Sequence, residues 1–225
     1  MADSIGVDSL LSKRFVFRFS LPCLYSDPLW TAKGAALAVE HGLVDLTALE
    51  GRDDGFADVR AAWSEQGLAF TVRVSGKKKT PWCRATKPDE SDGLQVWIDT
   101  RDVHNVHRAT RFCHQFIFLP GGGGRKLEEP LAQWMPINRA RQHPKAIPPG
   151  QLQVRSEKRV DGYVLEALIG AAALTGFDPH EHPRLGFNYA VIDRELGHQT
   201  LSAGDPMPYA EDASLWATLE LVGKP

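Results

Sequence analysis

Hydrophobic and polar positions alternate along most of this chain, and the period of two predicts strands far more often than helices. The clearest case is residues 57–74. Val59, Ala61 and Trp63 alternate before Glu65-Gln66-Gly67, and Leu68, Phe70, Val72 and Val74 alternate after it. Two such runs around a short Gly-containing link predict a hairpin. Residues 151–159 and 162–169 repeat the pattern around Val160-Asp161-Gly162. Single strands are predicted at 14–20, 94–99, 111–119, 184–193 and 216–222, with shorter ones at 36–40 and 43–46. In 94–99, Leu94, Val96 and Ile98 share one face, and Gln95, Trp97 and Asp99 the other. Residues 170–175 read as a short helix ended by Gly176. Residues 76–91 read as a polar loop, 120–150 as one long Gly- and Pro-rich excursion, and 193–197 as a turn.

Many short strands with almost no long helical pattern predict an all-β fold: an antiparallel, jelly-roll-like β-sandwich with one short helix and long loops. Residues 1–12 are expected to be a flexible tail, and 13–223 a single domain. At 225 residues one large domain is the first expectation. A hydrophobic fraction of 43% and a net charge of −2 fit a globular protein and argue against nucleic acid as a partner. No apolar run nears the roughly 18 residues a membrane span needs. The start does not read as a signal peptide. Cys23, Cys83 and Cys113 are odd in number and widely spaced, which favours a reduced, cytoplasmic setting over an exported one. The oligomeric state is open.

The order of motifs carries a resemblance. Residues 92–99, opening with Asp92 and ending Ile98-Asp99, come first. Tyr163-x-x-Glu166 leading to Ile169, then Gly186-Phe187 leading to Asp193, then Trp216-x-x-Leu219-x-Leu221 follow. This series resembles the family 9 carbohydrate-binding modules and their relatives. The resemblance implies a β-sandwich that binds a saccharide without turnover, often with structural calcium. Members of that family clamp sugar between two tryptophans. This sequence departs from the pattern before the last strand, where Leu201-Ser202-Ala203-Gly204 stands instead of an aromatic residue.

A saccharide site needs an exposed ring against the apolar face of the sugar and polar side chains for its hydroxyls. Trp82 and Trp134 lie in predicted loops and are candidate platforms, with Trp97 a third on a strand. The bland alternative is that loop tryptophans pin loops to the sandwich. The linker after Asp99 holds Arg101, Asp102, His104, His107 and Arg108. Arg101, His107 and Arg108 are candidate donors to hydroxyls or a carboxylate. An internal ion network is the competing reading. Asp53, Asp54 and Asp58 cluster with Glu50 near glycines and are candidate calcium ligands. His104, His107, Cys113 and His114 suggest a transition-metal set, but neighbours on a strand point to opposite faces. Two other classes stay open: a haem or redox module using Met135 or Met207 with a histidine, and a carbohydrate-active enzyme with Glu166 (paired with Asp193), Asp99 or the His/Cys cluster at its centre.

Overall fold

The computed structural model describes residues 18–46 and 55–223. Among them the alternating runs become eleven strands: β1 (Ser20–Tyr25), β2 (Ala57–Ser64), β3 (Gly67–Ser75), β4 (Gly93–Asp99), β5 (Cys113–Gly123), β6 (Glu129–Met135), β7 (Leu152–Arg159), β8 (Gly162–Gly170), β9 (Arg184–Asp193), β10 (Gly197–Thr200) and β11 (Ala217–Val222). Hydrogen bonding orders them β6-β5-β4-β9-β11-β1-β2-β3-β8-β7, with β10 on the stretch of β9 that β11 leaves unpaired. The sheet curls until its two end strands approach each other. β6 and β7 come into contact without pairing, which leaves a seam.

Curling turns one face of every strand inward. Val96, Phe116 and Phe187 from one half meet Val59, Phe70 and Leu165 from the other in a single core. Phe70 and Phe187 stack across it with centroids 5.9 Å apart. Each such side chain contributes roughly 1.5–3 kcal/mol by leaving water. Loops cover the outer faces. Trp97 and Trp216 lie under the loops that contribute Ala109 and Tyr209, and Leu29 and Leu37 cover Ala62, Ala69 and Leu168.

The all-β fold is as expected, with several local differences. The pairing is not wholly antiparallel, since β1 runs parallel to both β11 and β2. Its strand begins at Ser20 and runs through Pro22. There β1 pairs with β11 alone, and the β2 pairing starts only at Leu24, so a residue without an N–H is tolerated. Phe19 packs on the core, while residues 1–17, including the expected tail and most of the 14–20 strand, lie outside the described residues. The short strands expected within 36–46 are absent. Side chains of the sheet satisfy that backbone instead: Ala36 N–H donates to Glu166 at 2.7 Å and Leu37 N–H to Thr71 at 3.4 Å.

The expected helix at 170–175 is a 3-10 turn, Ala171–Ala173. Ala171 N–H is drawn to Gln66 O at 2.7 Å, at the β2–β3 turn, so the chain does not coil further. The excursion at 120–150 contains a strand. β5 continues through Pro120 and Gly121, shifts register before Gly123, and returns as β6. Gly122 there has φ 97°, and a Cβ on it would meet Cys83 Cβ at 3.2 Å. The turn at 193–197 is followed by an extra strand, β10. Among the described residues no helix is long and apolar enough to cross a membrane.

Candidate functional site

Strand pairing brings two carboxylates together. Asp92 immediately precedes β4 and Asp193 ends β9, and Gly93 pairs with Ile192 in register. Lys77, two residues beyond β3, inserts its ammonium between them. It donates to Asp92 Oδ2 at 3.0 Å and to Asp193 Oδ1 at 2.9 Å. All three side chains are buried, at 2% exposure or less. Burial alone would lower the Lys77 pKa; the hydrogen bonds to Asp193 and Asp92 outweigh it and hold that pKa above its ordinary value. The same carboxylates tie down the backbone. Asp92 accepts from Trp82 N and Arg194 N, and Asp193 from Glu195 N and Leu196 N. Glu195 in turn accepts from Lys78 N and Lys79 N, so the loop after β3 is fixed at its root.

That fixed loop forms one wall of a cleft of about 650 Å³ at the β6–β7 seam. The β5–β6 tip forms a second wall, and the β7–β8 tip a third. Lys77 N–H donates to Asp161 O at 2.9 Å, which joins the first wall to the third. Leu127 and Val160 are exposed at the rim, Val160 completely. Trp82 is half-buried in the wall, with the Arg194 guanidinium 3.5 Å from its ring centroid. Tyr163 lies beneath, only 2% exposed, and its hydroxyl has no hydrogen-bond partner among the described residues. Burial, reinforced by Asp193 and Asp92, raises its pKa well above 10, so the phenol remains a hydrogen-bond donor. A buried donor without a partner is uncommon and costs about 1–3 kcal/mol unless something else supplies the acceptor.

The residues proposed from sequence do not meet in one place. Only Trp82 lines this cleft. Arg101, His107 and Arg108 follow the far end of β4, a strand-length of about 20 Å away. Their polar groups are engaged there. The Arg101 guanidinium donates to Thr100 O and Gly176 O and stacks 4.3 Å from the Phe112 ring. Arg108 donates to Arg139 O at 2.8 Å. Asp99 accepts from Arg101 N and Val103 N, and Asp102 accepts the Thr218 hydroxyl beside His104 and Arg184. His107 Nδ1 lies 3.0 Å from Asp212 and 3.1 Å from Ser214 Oγ, beside a smaller hollow of about 350 Å³. Both partners address the same ring nitrogen, so no Ser–His–Asp relay forms.

Trp97 is buried at 1% exposure against Tyr209, out of reach of a ligand. Trp134 belongs to β6, not to a loop, and packs on the core with its indole N–H buried. The histidines and Cys113 are dispersed. Cys113 faces an outer cluster and its thiol is pushed up to about 11 by burial, while His114 points into the core and is pushed down to about 4 by burial. Among the described residues no three His, Cys, Asp or Glu side chains form a metal-holding group. Asp53 and Asp54 lie outside the described residues, and the Asp58 carboxylate is engaged by Arg60 at 2.5 Å. Met135 packs beside Cys83 and Ile117, and Met207 joins the outer cluster around Trp97. Glu166 accepts from Ala36 N and from Arg155, each at 2.7 Å, and lies on the outer face of β8, away from Asp193.

Sequence reasoning missed Asp92, Asp193, Tyr163 and the β7–β8 tip as parts of one site. The signals were present as a lysine run and as the carboxylates closing two strand motifs, but only the topology joins them.

No protein-family profile matches the sequence, and no curated protein matches it. The fold is similar to that of a family 9 carbohydrate-binding module from Caldicellulosiruptor kristjanssonii solved with cellotriose. The TM-score is 0.61 at 12% identity, over 92% of this chain and 95% of that one. It is also similar to a family 9 module from the same organism solved with glucose, at TM-score 0.58 and 13% identity, over 92% and 97%.

Proposed function

We propose that this chain is a carbohydrate-binding module that holds a saccharide in the cleft at the β6–β7 seam. The observation that carries this reading is the pairing of Trp82 in the wall with the unpartnered Tyr163 hydroxyl beneath it. A ring edge or face packs against sugar C–H groups, and a buried donor without a partner takes a sugar oxygen as its acceptor. The scaffold supports the reading, because similar folds hold cellotriose and glucose in the solved modules. The lining supports binding without turnover. Glu128 is the only carboxylate among the described residues of the cleft, and glycoside hydrolysis ordinarily uses two.

Calorimetric titration against a panel of neutral and charged oligosaccharides tests it. Saturable binding is expected, with no release of reducing ends. Trp82→Ala is expected to lower affinity about tenfold or more, as the loss of an aromatic contact implies. Binding that survives both Trp82→Ala and Tyr163→Phe, or an absence of binding across the panel, would overturn the assignment.

A further inference from the structure

The cleft differs in charge from the chain around it. The protein carries a net charge of −2. The walls nevertheless present Lys78, Lys79 and Arg84 from one loop and Lys158 and Arg159 from the facing tip, against the single carboxylate of Glu128. Lys77 does not add to this set, because Asp92 and Asp193 outweigh its charge in the interior and leave the buried trio one charge negative. The Lys78 and Lys158 ammonium groups have no ion-pair partner among the described residues. Arg84 donates to Cys83 O and stands near the Trp82 ring. Arg159 meets only Glu157, at 3.2 Å, in a pair with both members about half exposed.

Folding therefore brings two cationic segments, some eighty residues apart in sequence, into the lining of one opening. The Lys77 N–H to Asp161 O bond holds those segments together. Like charges gathered around one cleft repel and focus a positive potential into it, and an anion among them relieves the repulsion. A neutral glucan would gain nothing from that arrangement. Guanidinium and ammonium groups suit the paired oxygens of a carboxylate or a sulfate ester.

We propose that the ligand is an anionic saccharide, whose carboxylate or sulfate ester sits between the 78–79 and 158–159 segments while its ring packs toward Trp82. The proposal rests on the reading of the cleft as a saccharide site. It gives the two chemical elements of the cleft separate tasks. Trp82 and Tyr163 recognise the sugar ring, and the two basic segments select for charge.

The test uses the full chain and three probes of equal length: a trisaccharide of uronic acids, a sulfated trisaccharide, and cellotriose. At low salt at least one anionic probe is expected to bind about tenfold or more tighter than cellotriose, with the two anionic arms identifying the group preferred. The advantage is expected to shrink severalfold at about 0.5 M salt, where charges at the surface are screened within a few ångströms. The double variant Lys158→Gln/Arg159→Gln, placed on an exposed tip, is expected to lose the preference for charge and retain cellotriose binding. Equal or tighter binding of cellotriose in the native chain, abolished by Trp82→Ala, would overturn the anionic preference and leave the saccharide site standing. Failure of all three probes to bind would overturn both. Anionic binding unaffected by the double variant would also overturn the proposal.

Discussion

Both ends of β4 carry clusters of charged side chains, yet the two clusters are in opposite states. At the far end, the segment after Asp99 uses its chemistry on itself. Arg101, Arg108, Asp99 and Asp102 each have backbone or side-chain partners, and His107 is shared between Asp212 and Ser214. At the near end, a buried ion cluster anchors the loop, and the groups beyond it have few partners. Tyr163 has an idle hydroxyl, and Lys78 and Lys158 face solvent. The near end is set apart by exposed cations and a buried hydroxyl left without partners over a fixed base. Richness in His and Arg at the far end leaves few such groups, because they bond to one another and to the backbone.

The largest effect is expected from Lys77→Met. It leaves Asp92 and Asp193 buried without their cation, and removal of one partner from such a cluster costs about 3–5 kcal/mol. Chemical denaturation measures the loss, and a change under about 1 kcal/mol would contradict the anchoring role.

Next is an acid effect from the core. His114 has a folded pKa of about 4 against an ordinary 6.5, so it stays neutral in the native state. Between those values the unfolded chain binds more protons, so stability falls as pH drops through that window. The loss is on the order of 3 kcal/mol by pH 4. His114→Gln, which keeps an acceptor for Thr175 N, is expected to flatten this slope in denaturation curves taken from pH 7 to 4. Burial pushes the Asp99 carboxyl up, an effect of opposite sign, so only the difference between native and variant isolates the imidazole.

A smaller and more pointed effect concerns Tyr163→Phe. Removing a hydroxyl without a partner is expected to leave stability within about 1 kcal/mol, or to raise it. Saccharide affinity is expected to fall about fivefold or more in the same protein. Loss of stability with affinity intact would mean that the hydroxyl is structural. The smallest effect is expected at the far end. His107→Ala removes an exposed pair and is expected to change stability by less than about 0.5 kcal/mol and saccharide affinity not at all.

Much of the fold was legible because burial on one face imposes a period of two. Residues 57–74, 151–169 and 184–193 read directly into β2–β3, β7–β8 and β9. β6 was not legible, because an edge strand has only one paired neighbour and Pro130 sits within it. Nor was β1, whose parallel pairing to β11 is set by residues about 200 positions away. The candidate site was legible only in pieces. Trp82 stood out as a loop aromatic, and the lysine run was visible. Whether Lys77 turned inward and Lys78 outward depended on two carboxylates that the sheet alone brings together. Trp97 and Trp134 illustrate the converse, since an aromatic residue that suits a platform suits a core equally well.

The parallel strand β1 has a further consequence, for the order in which the molecule is made. It links the two halves of the sheet by pairing with β2 on one side and with β11 on the other. The hairpins 57–75 and 152–170 can form as soon as they are synthesised, but β1 cannot complete its pairing until residues 218–222 have left the ribosome. Such high contact order makes closure a late and slow event. Until then the inner faces carrying Phe70 and Phe187 are exposed and available to chaperones or to aggregation. A deletion of Ala217–Val222 is therefore expected to do more than shorten one strand: it would leave the two halves of the sheet without the β1–β11 pairing that links them, and expression as inclusion bodies would be its visible sign.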